Sequence, residues 1–381
     1  MVHLQKRYKG FVPLAVAGIL MLGFAQNGWG AWQDEWEKVM SAAKKEGKVV
    51  VSIPASAELR TKMEGAFEKR FTGIDLELFP SRASRQLRRI RDELKAGVHY
   101  FDVHLGGSGS MLSGFVGGKI VDPFEPYLIL PEVKDAKNWW GGHMSIDKEK
   151  QFVYTFCAFL TANFWYNTQL INPEELQSYD DLLNPKWKGK IGFYDPRRPG
   201  AGRGVWEYMW THKGEEFLRE FNKQEPQISR NRRVMAESLA KGKLALTVGV
   251  TYYAFKPFLE AGLPVKALPL FKEGTYGTAG SGNLAIIKNH PHPNATKVFV
   301  NWLLSKEGQE IWTKTLSQPT RRLDVDTKWT KEFGYIGAKD TISLKEWDKI
   351  EMISAEKQAE GKTARKSARK LLKKRTKKTK K

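Results

Sequence analysis

"KVVVSIPASAELRTKMEGAFEKRFTGIDLELFP", residues 48–80, decides the fold. Its first part, "KVVVSIP", is a short unbroken apolar run, the pattern of a strand buried on both faces. "ELRTKMEGAFEKRF" (58–71) then reads as a helix, and "GIDLELFP" (73–80) as a second strand closed by Pro80. The same unit recurs downstream. "SRQLRRIRDELKAG" sets Leu87, Ile90 and Leu94 on one helical face, and "FDVHLGG" (101–107) is a strand running into glycines. Upstream, "WQDEWEKVMSAAKKEG" spaces Trp36, Val39, Met40 and Ala43 as a helix does and ends on Gly47, a natural C′ residue. Helix and strand alternating at this length predict an α/β sheet whose crossover helices join parallel strands.

The chain has 381 residues, more than one compact core usually holds. "QFVYTFCAFLTANFWYNTQL" (151–170) is apolar for longer than one ordinary strand and reads as a crossing between two lobes. A second α/β region follows. Asn172-Pro173 and Ser178-Tyr179-Asp180-Asp181 are helix starts, "GKIGFYDP" is a strand, and "GVWEYMWTHKGEEFLREF" is a helix interrupted at Gly214. "ESLAKGKLALTVGVTYYAFKPFLEAGLPVKALPL" reads helix, strand, helix, strand. After the strand "GSGNLAIIK", the segment "PNATKVFVNWLLSKEGQEIWTKTL" supplies two capped helices and returns to the first lobe. The expected division is 31–155 and 276–361 for lobe 1 and 156–275 for lobe 2.

Residues 1–30 read as a secretory signal peptide, so a periplasmic location is expected. Lys6, Arg7 and Lys9 precede the apolar "FVPLAVAGILMLGFA", and Gly28 and Gly30 are small residues at the −3 and −1 positions of a cleavage site. A retained N-terminal anchor is the alternative, because the site lacks Ala-x-Ala. The single cysteine, Cys157, excludes an intramolecular disulfide. The net charge of +21 is unevenly placed: 12 Lys and Arg with no acids lie in 362–381 and 3 in the leader, which leaves +6 for residues 31–361. That distribution argues against nucleic acid as a partner. The tail "KTARKSARKLLKKRTKKTKK" reads as a disordered, dispensable appendage, with contact to an anionic membrane surface as its functional alternative.

In open α/β sheets ligands sit beyond the carboxyl ends of the strands. Here those exits are "SIPASAE", "FPSRAS", "GGSGS", "YDPRRPGAGRG", "TYY" and "GSGN", in which hydroxyls, glycines and arginines dominate. Glycine lets backbone amides approach an anion, Ser donates a hydrogen bond, and Arg offers a planar fork. The candidate ligand-binding residues are Ser56, Arg82, Ser84, Ser108, Asp195, Arg197, Gly202, Arg203, Tyr252, Tyr253 and Ser281. Each has a structural reading as well: glycine-rich exits also make tight turns, and Arg197, Arg198 and Arg203 also suit a solvated loop. The histidines lack metal-ligand spacing.

"DLLNPKWKGKIGFYDPR", "AGLPVKALPL" and "HPHPNATKVFVNWLLSKEGQEIW" resemble the bacterial periplasmic solute-binding proteins of ABC importers, in the ferric-iron and small-anion group. The resemblance runs from Trp32 to about Asp324. It implies a type II periplasmic-binding fold: two α/β lobes, two hinge crossings, and a ligand clamped between. It also implies a monomer that passes its solute to an inner-membrane ABC permease, with no resident cofactor and no catalysis. In the ferric-binding members an adjacent tyrosine pair at the matching exit supplies phenolates, so Tyr252 and Tyr253 are the implied iron ligands if Fe(III) is the transported solute. The family's His or Tyr after the first strand is missing from "SIPASAE". An anion bearing phosphate, phosphonate or carboxylate is therefore the leading expectation, and Fe(III) the alternative. A few enzymes share the fold, including a class that uses a cleft cysteine, but Cys157 lies in the inter-lobe apolar run.

Overall fold

The computed structural model describes residues 23–198, 200–350 and 363–372. Residues 1–22 of the expected signal peptide, the end of the return segment (351–361) and the distal tail (373–381) lie outside the described residues.

A helix, Gly23–Glu46, leads into β1 (Lys48–Ile53), and Gly47 between them takes φ 75°, the left-handed value its C′ position requires. The helix Ala57–Arg70 joins β1 to β2 (Asp75–Pro80), and Ala83–Lys95 joins β2 to β3 (Val103–Gly106). Strands β1, β2 and β3 are parallel, as the crossover helices predict. Three further strands complete this first sheet: β4 (Val121–Asp122), β5 (Tyr154–Thr155) and β13 (Asn283–Ile287). Its order is β2-β1-β3-β13-β4, with β5 also paired to β13.

Strand β13 runs antiparallel to β3, β4 and β5, so the sheet is mixed rather than wholly parallel. The reason is connectivity. β13 enters from the second lobe through an extended crossing, not through a helix packed on the same sheet, and nothing obliges it to share the direction of β3.

The long apolar run breaks into three strands that serve three sheets: β5, then β6 (Phe159–Leu160), then β7 (Phe164–Asn167). The second lobe's sheet has the order β11-β7-β10-β8-β9, made with β8 (Ile191–Tyr194), β9 (Gln227–Ser229), β10 (Leu246–Val248) and β11 (Val265–Ala267). Between the lobes, β12 (Gly277–Thr278) and β14 (Ile336–Gly337) pair with β6. The chain thus crosses twice, at β6 and β12, and β14 adds an edge to the crossing.

One buried cluster runs through both lobes, and further cores lie within lobe 1 and within lobe 2. In lobe 1, Phe67 meets Trp302 of the helix Pro293–Leu304 edge-on at 5.3 Å and Phe71 at 4.9 Å. In lobe 2, Phe193 of β8 packs on Trp206 and Phe221 of the helix Ala201–Lys223, which kinks at Gly214 (φ 81°, ψ 177°) as its sequence requires. Two expected helix starts form only short turns, Pro173–Glu175 and the capping-box turn Tyr179–Leu183. At the crossing, Arg321 is fully buried and donates to the carbonyls of Trp140, Gly142 and Thr155.

The basic tail is not a uniformly solvated appendage. Residues 363–372 form a helix, and Ala364, Ala368 and Leu371 are buried in the core of lobe 2. The charge count favoured solvation, but alanines and leucine at i, i+4 and i+7 leave an apolar face that docking can bury.

Candidate functional site: an arginine-lined cleft

The carboxyl ends of both sheets open on one cavity of about 610 Å³. Lobe 1 contributes Pro54 and Ala55 after β1, Ser81, Arg82 and Ser84 after β2, and Ser108 and Ser110 after β3. Lobe 2 contributes Tyr194, Asp195 and Arg203 after β8, Arg230 and Arg232 after β9, and Thr251 and Tyr253 after β10. Thr161, Thr278 and Ser281 line it from the crossing. Helix Ala83–Lys95 opens at Arg82 and helix Ala201–Lys223 at Gly200, so the positive ends of two helices from opposite lobes meet at the cavity.

Among the described residues, six arginines (Arg82, Arg88, Arg198, Arg203, Arg230 and Arg232) line the cavity against two acids, Asp195 and Glu207. Asp195 is already committed. Its Oδ1 accepts from Arg197 N (3.0 Å) and Nε (2.7 Å), and its Oδ2 from Arg197 Nη2 (3.0 Å) and Arg230 Nε (2.7 Å). Burial alone would raise its pKa, but these hydrogen bonds outweigh burial and hold it below the usual carboxylate range. Glu207 goes the other way: burial raises its pKa, opposed by the charges of Arg203 and Arg365.

Two cations remain under-satisfied. Arg203 donates from Nη2 to the Arg197 carbonyl at 3.2 Å, but its buried Nε has no acceptor, and burial lowers its pKa. The Nε of Arg232 is also buried without an acceptor, while its guanidinium lies 4.1 Å from the centre of the Tyr194 ring and 5.9 Å from that of Tyr253. A buried donor without a partner is costly, about 1–3 kcal/mol and more when charged, so a cleft holding two of them suits an anionic guest. Arg82 reaches across from lobe 1 to donate to the Arg230 carbonyl at 3.2 Å, and Lys256 of lobe 2 pairs with Glu58 of lobe 1 at 2.9 Å.

Of the residues expected from sequence, the structure brings together Arg82, Ser84, Ser108, Asp195, Arg203, Tyr253 and Ser281 around the cavity. Four stand elsewhere. Ser56 is a helix cap, its Oγ accepting from Leu59 N at 3.1 Å. Arg197 is turned onto Asp195. Gly202 is a packing glycine beneath the helix start, where a Cβ would lie 2.0 Å from the Tyr194 carbonyl oxygen. Tyr252 is buried wall, with Phe333 at 4.7 Å and Trp165 at 6.4 Å, and its hydroxyl is pushed up in pKa by that burial. The structure therefore separates the tyrosine pair: Tyr253 faces the cavity and Tyr252 does not. Among the described residues no group of three or more His, Cys, Asp or Glu side chains comes together as a metal site.

Sequence reasoning missed Arg230 and Arg232. Their signal was "SRNRR" after the three-residue strand β9, too short to stand out in an alternation pattern. It also missed Asn163, Tyr276 and Tyr335, which form a buried chain beside the cavity: Asn163 Nδ2 donates to Tyr276 Oη at 3.0 Å, and Tyr335 Oη donates to Asn163 Oδ1 at 3.2 Å.

His104 on β3 makes the cleft wall pH-sensitive. It is buried, with Nδ1 2.8 Å from Ser52 Oγ, its ring stacked on Phe115 at 4.3 Å, and Nε2 without a partner. Burial lowers its pKa to about 3. The unfolded chain takes up this proton near pH 6.5 and the folded chain does not, so stability is intact above about pH 6.5 and falls as pH drops towards 3. The expected loss is about 2 kcal/mol between pH 7 and pH 5, at about 1.4 kcal/mol per pH unit. Urea unfolding of wild type and His104→Gln measures it; equal pH slopes would refute it.

Residues 62–333 match the family described as bacterial extracellular solute-binding protein. Among curated proteins, an uncharacterized protein of Haemophilus influenzae is 29% identical over 138 residues, 35% of this chain and 38% of that one. Iron uptake protein A1 of Synechocystis is 26% identical over 160 residues, 38% of this chain and 43% of that one. The chain thus spans about two fifths of the length of the curated relatives it matches. Among solved structures, iron-bound HitA from Pseudomonas aeruginosa superposes with a TM-score of 0.62 at 17% identity, over 85% of this chain and 99% of that one. The periplasmic binding protein AfuA from Actinobacillus pleuropneumoniae, with fructose-6-phosphate bound, does so with a TM-score of 0.57 at 20% identity, over 74% and 88%. The fold is that of the type II periplasmic-binding proteins, and with the family pattern matched over more than two thirds of its length, the chain belongs to the bacterial extracellular solute-binding proteins.

Proposed function

We propose that this protein captures a small anion bearing phosphate, phosphonate or carboxylate between its lobes and delivers it to an inner-membrane ABC permease. The observation that carries this reading is the pair of half-buried arginines, Arg203 and Arg232, whose buried Nε atoms lack acceptors at a cavity reached by two helix N-termini. The family is extracellular, which supports export and work in the periplasm; on this reading residues 1–30 are the signal peptide and the mature protein is a monomer. No helix among the described residues is long and apolar enough to cross a membrane. Binding rather than catalysis is supported by Cys157, which is buried at the crossing with its thiol pushed up in pKa by that burial.

A thermal-shift screen of the purified mature protein against inorganic phosphate, fructose 6-phosphate, phosphonates, citrate and ferric citrate tests the proposal. A ligand that binds only the native state adds about 2.7 kcal/mol at 100 times its Kd. An anion should raise the melting temperature; no shift with any of them would refute the reading.

Iron is the second reading, because HitA is iron-bound and a curated relative is named for iron uptake. Fe(III) wants several anionic oxygen ligands. Here Tyr252 faces its own core, and Asp195 is held by Arg197 and Arg230. Ferric citrate is therefore expected to give no tyrosinate-to-iron charge-transfer band. A coloured complex that survives a moderate chelator and is lost in Tyr253→Phe would put iron first.

A further inference from the structure

We infer that the cleft reads a second group on its anion: Glu207, one helical turn beyond Arg203, accepts a hydrogen bond from an amino or hydroxyl group on the ligand's body, with Tyr276 beside it. The inference rests on the anion reading of the cleft. It narrows the ligand class from any small anion to one bearing a hydrogen-bond donor about 6 Å from its charged end, the rise of four helical residues.

Of the two acids that line the cavity among the described residues, Glu207 is the one whose oxygens are still open. Both oxygens of Asp195 are taken, by Arg197 and Arg230. The half-buried carboxylate of Glu207 makes no hydrogen bond or ion pair among the described residues; the charges of Arg203 and Arg365 reach it at longer range, and burial raises its pKa. A carboxylate partly withdrawn from water and left without a donor is costly, so a donor on the guest is favoured there.

Arg203, Gly204 and Glu207 stand at i, i+1 and i+4 of the helix Ala201–Lys223, on the side that lines the cavity. Tyr276 packs on that side. A Cβ on Gly204 would meet the Tyr276 Cζ at 2.8 Å and its Oη at 3.0 Å, so the bare glycine is what lets the ring lie against the helix. Asn163 Nδ2 donates to Tyr276 Oη at 3.0 Å, and the Tyr276 O–H has no acceptor of its own among the described residues. An open acceptor on Glu207 and an open donor on Tyr276 thus share the wall one turn from Arg203. An ammonium uses the carboxylate alone; a hydroxyl donates to Glu207 and accepts from Tyr276. A cavity of about 610 Å³ is of the size that encloses an organic molecule rather than a bare tetrahedral anion, which leaves room for the body that carries this group.

The test is calorimetry with three unbranched phosphonates of matched length, aminopropylphosphonate, hydroxypropylphosphonate and butylphosphonate, which share the anionic end and differ in the terminal group. Wild type is expected to bind the amino or the hydroxyl probe at least about 10-fold more tightly than the butyl probe, as a site with an open acceptor discriminates. Glu207→Leu is expected to cut that preference to about 2-fold or less, with the butyl probe bound no more weakly than by wild type and the melting temperature of the ligand-free protein unchanged. Two further variants tell the groups apart. An amino preference is lost in Glu207→Gln and kept in Tyr276→Phe; a hydroxyl preference is kept in Glu207→Gln, whose amide oxygen still accepts, and weakened in Tyr276→Phe. Equal binding of the three probes by wild type overturns the inference. So does a preference that survives Glu207→Leu, or a uniform weakening of all three probes in that variant, which would make Glu207 a support for Arg203 alone. Wild type that binds none of the three, nor inorganic phosphate, overturns the anion reading of the cleft; phosphate bound with none of the three overturns this inference and leaves that reading standing.

Discussion

Arg203→Ala should weaken binding of the best anionic ligand by about 30-fold to several thousand-fold, while leaving the protein folded. Truncating one member of a buried charge pair costs roughly 2–5 kcal/mol, because the partner charge stays desolvated and unpaired, and each 1.4 kcal/mol is a factor of ten in affinity. Arg203 meets that condition at the ligand. It is anchored by a hydrogen bond to the Arg197 carbonyl, its Nε is buried without an acceptor, and it opens the helix Ala201–Lys223 at the cavity. Arg232 meets it as well and is expected to behave similarly. Arg197→Ala makes the contrast: its guanidinium is spent on Asp195, so its effect should be the smaller, indirect one of loosening that carboxylate. Calorimetry on Arg82→Ala, Arg203→Ala and Arg232→Ala measures the ranking. Three near-neutral results would remove the arginine-clamped anion from consideration.

How far this site was legible in the sequence depended on what each residue's role required. Strands β1 to β3 and their helices were readable because each element's own apolar pattern specifies it. The antiparallel entry of β13 was not, since strand direction there follows from a crossing more than a hundred residues after β3. Arg82, Arg203 and Tyr253 were placed at the cleft by the general rule that ligands sit at strand exits. That rule does not say which way a side chain turns. Arg197 found a carboxylate two residues away, and Tyr252 donates its backbone N–H to Tyr335 Oη at 2.9 Å while its ring joins a core. Net charge misled on the tail, because a sum over 362–381 hides the spacing of Ala364, Ala368 and Leu371.

Gly202→Ala is expected to destabilise the protein by about 3 kcal/mol or more and to weaken the ligand site at the same time. Overpacking ordinarily costs about 1–3 kcal/mol, because side chains can rearrange around an added methyl. Here the obstacles are backbone: a Cβ on Gly202 would meet the Tyr194 carbonyl oxygen at 2.0 Å and its carbon at 2.8 Å. On the facing strand exit, a Cβ on Gly249 would lie 2.4 Å from Gly202 Cα, and Gly249 holds φ 75°, where any L side chain is strained. The two glycines let the first turn of helix Ala201–Lys223 sit directly on the ends of β8 and β10. Arg203 is the next residue, so a first turn pushed outward moves its guanidinium away from the position that faces the cavity. The glycine read from sequence as a ligand contact thus acts one step back, by letting the arginine beside it reach the anion. Urea unfolding and calorimetry on the same Gly202→Ala sample test this jointly. Lost stability with full affinity would show that Arg203 does not depend on the close approach, and no change in either would show that the helix start has room to shift.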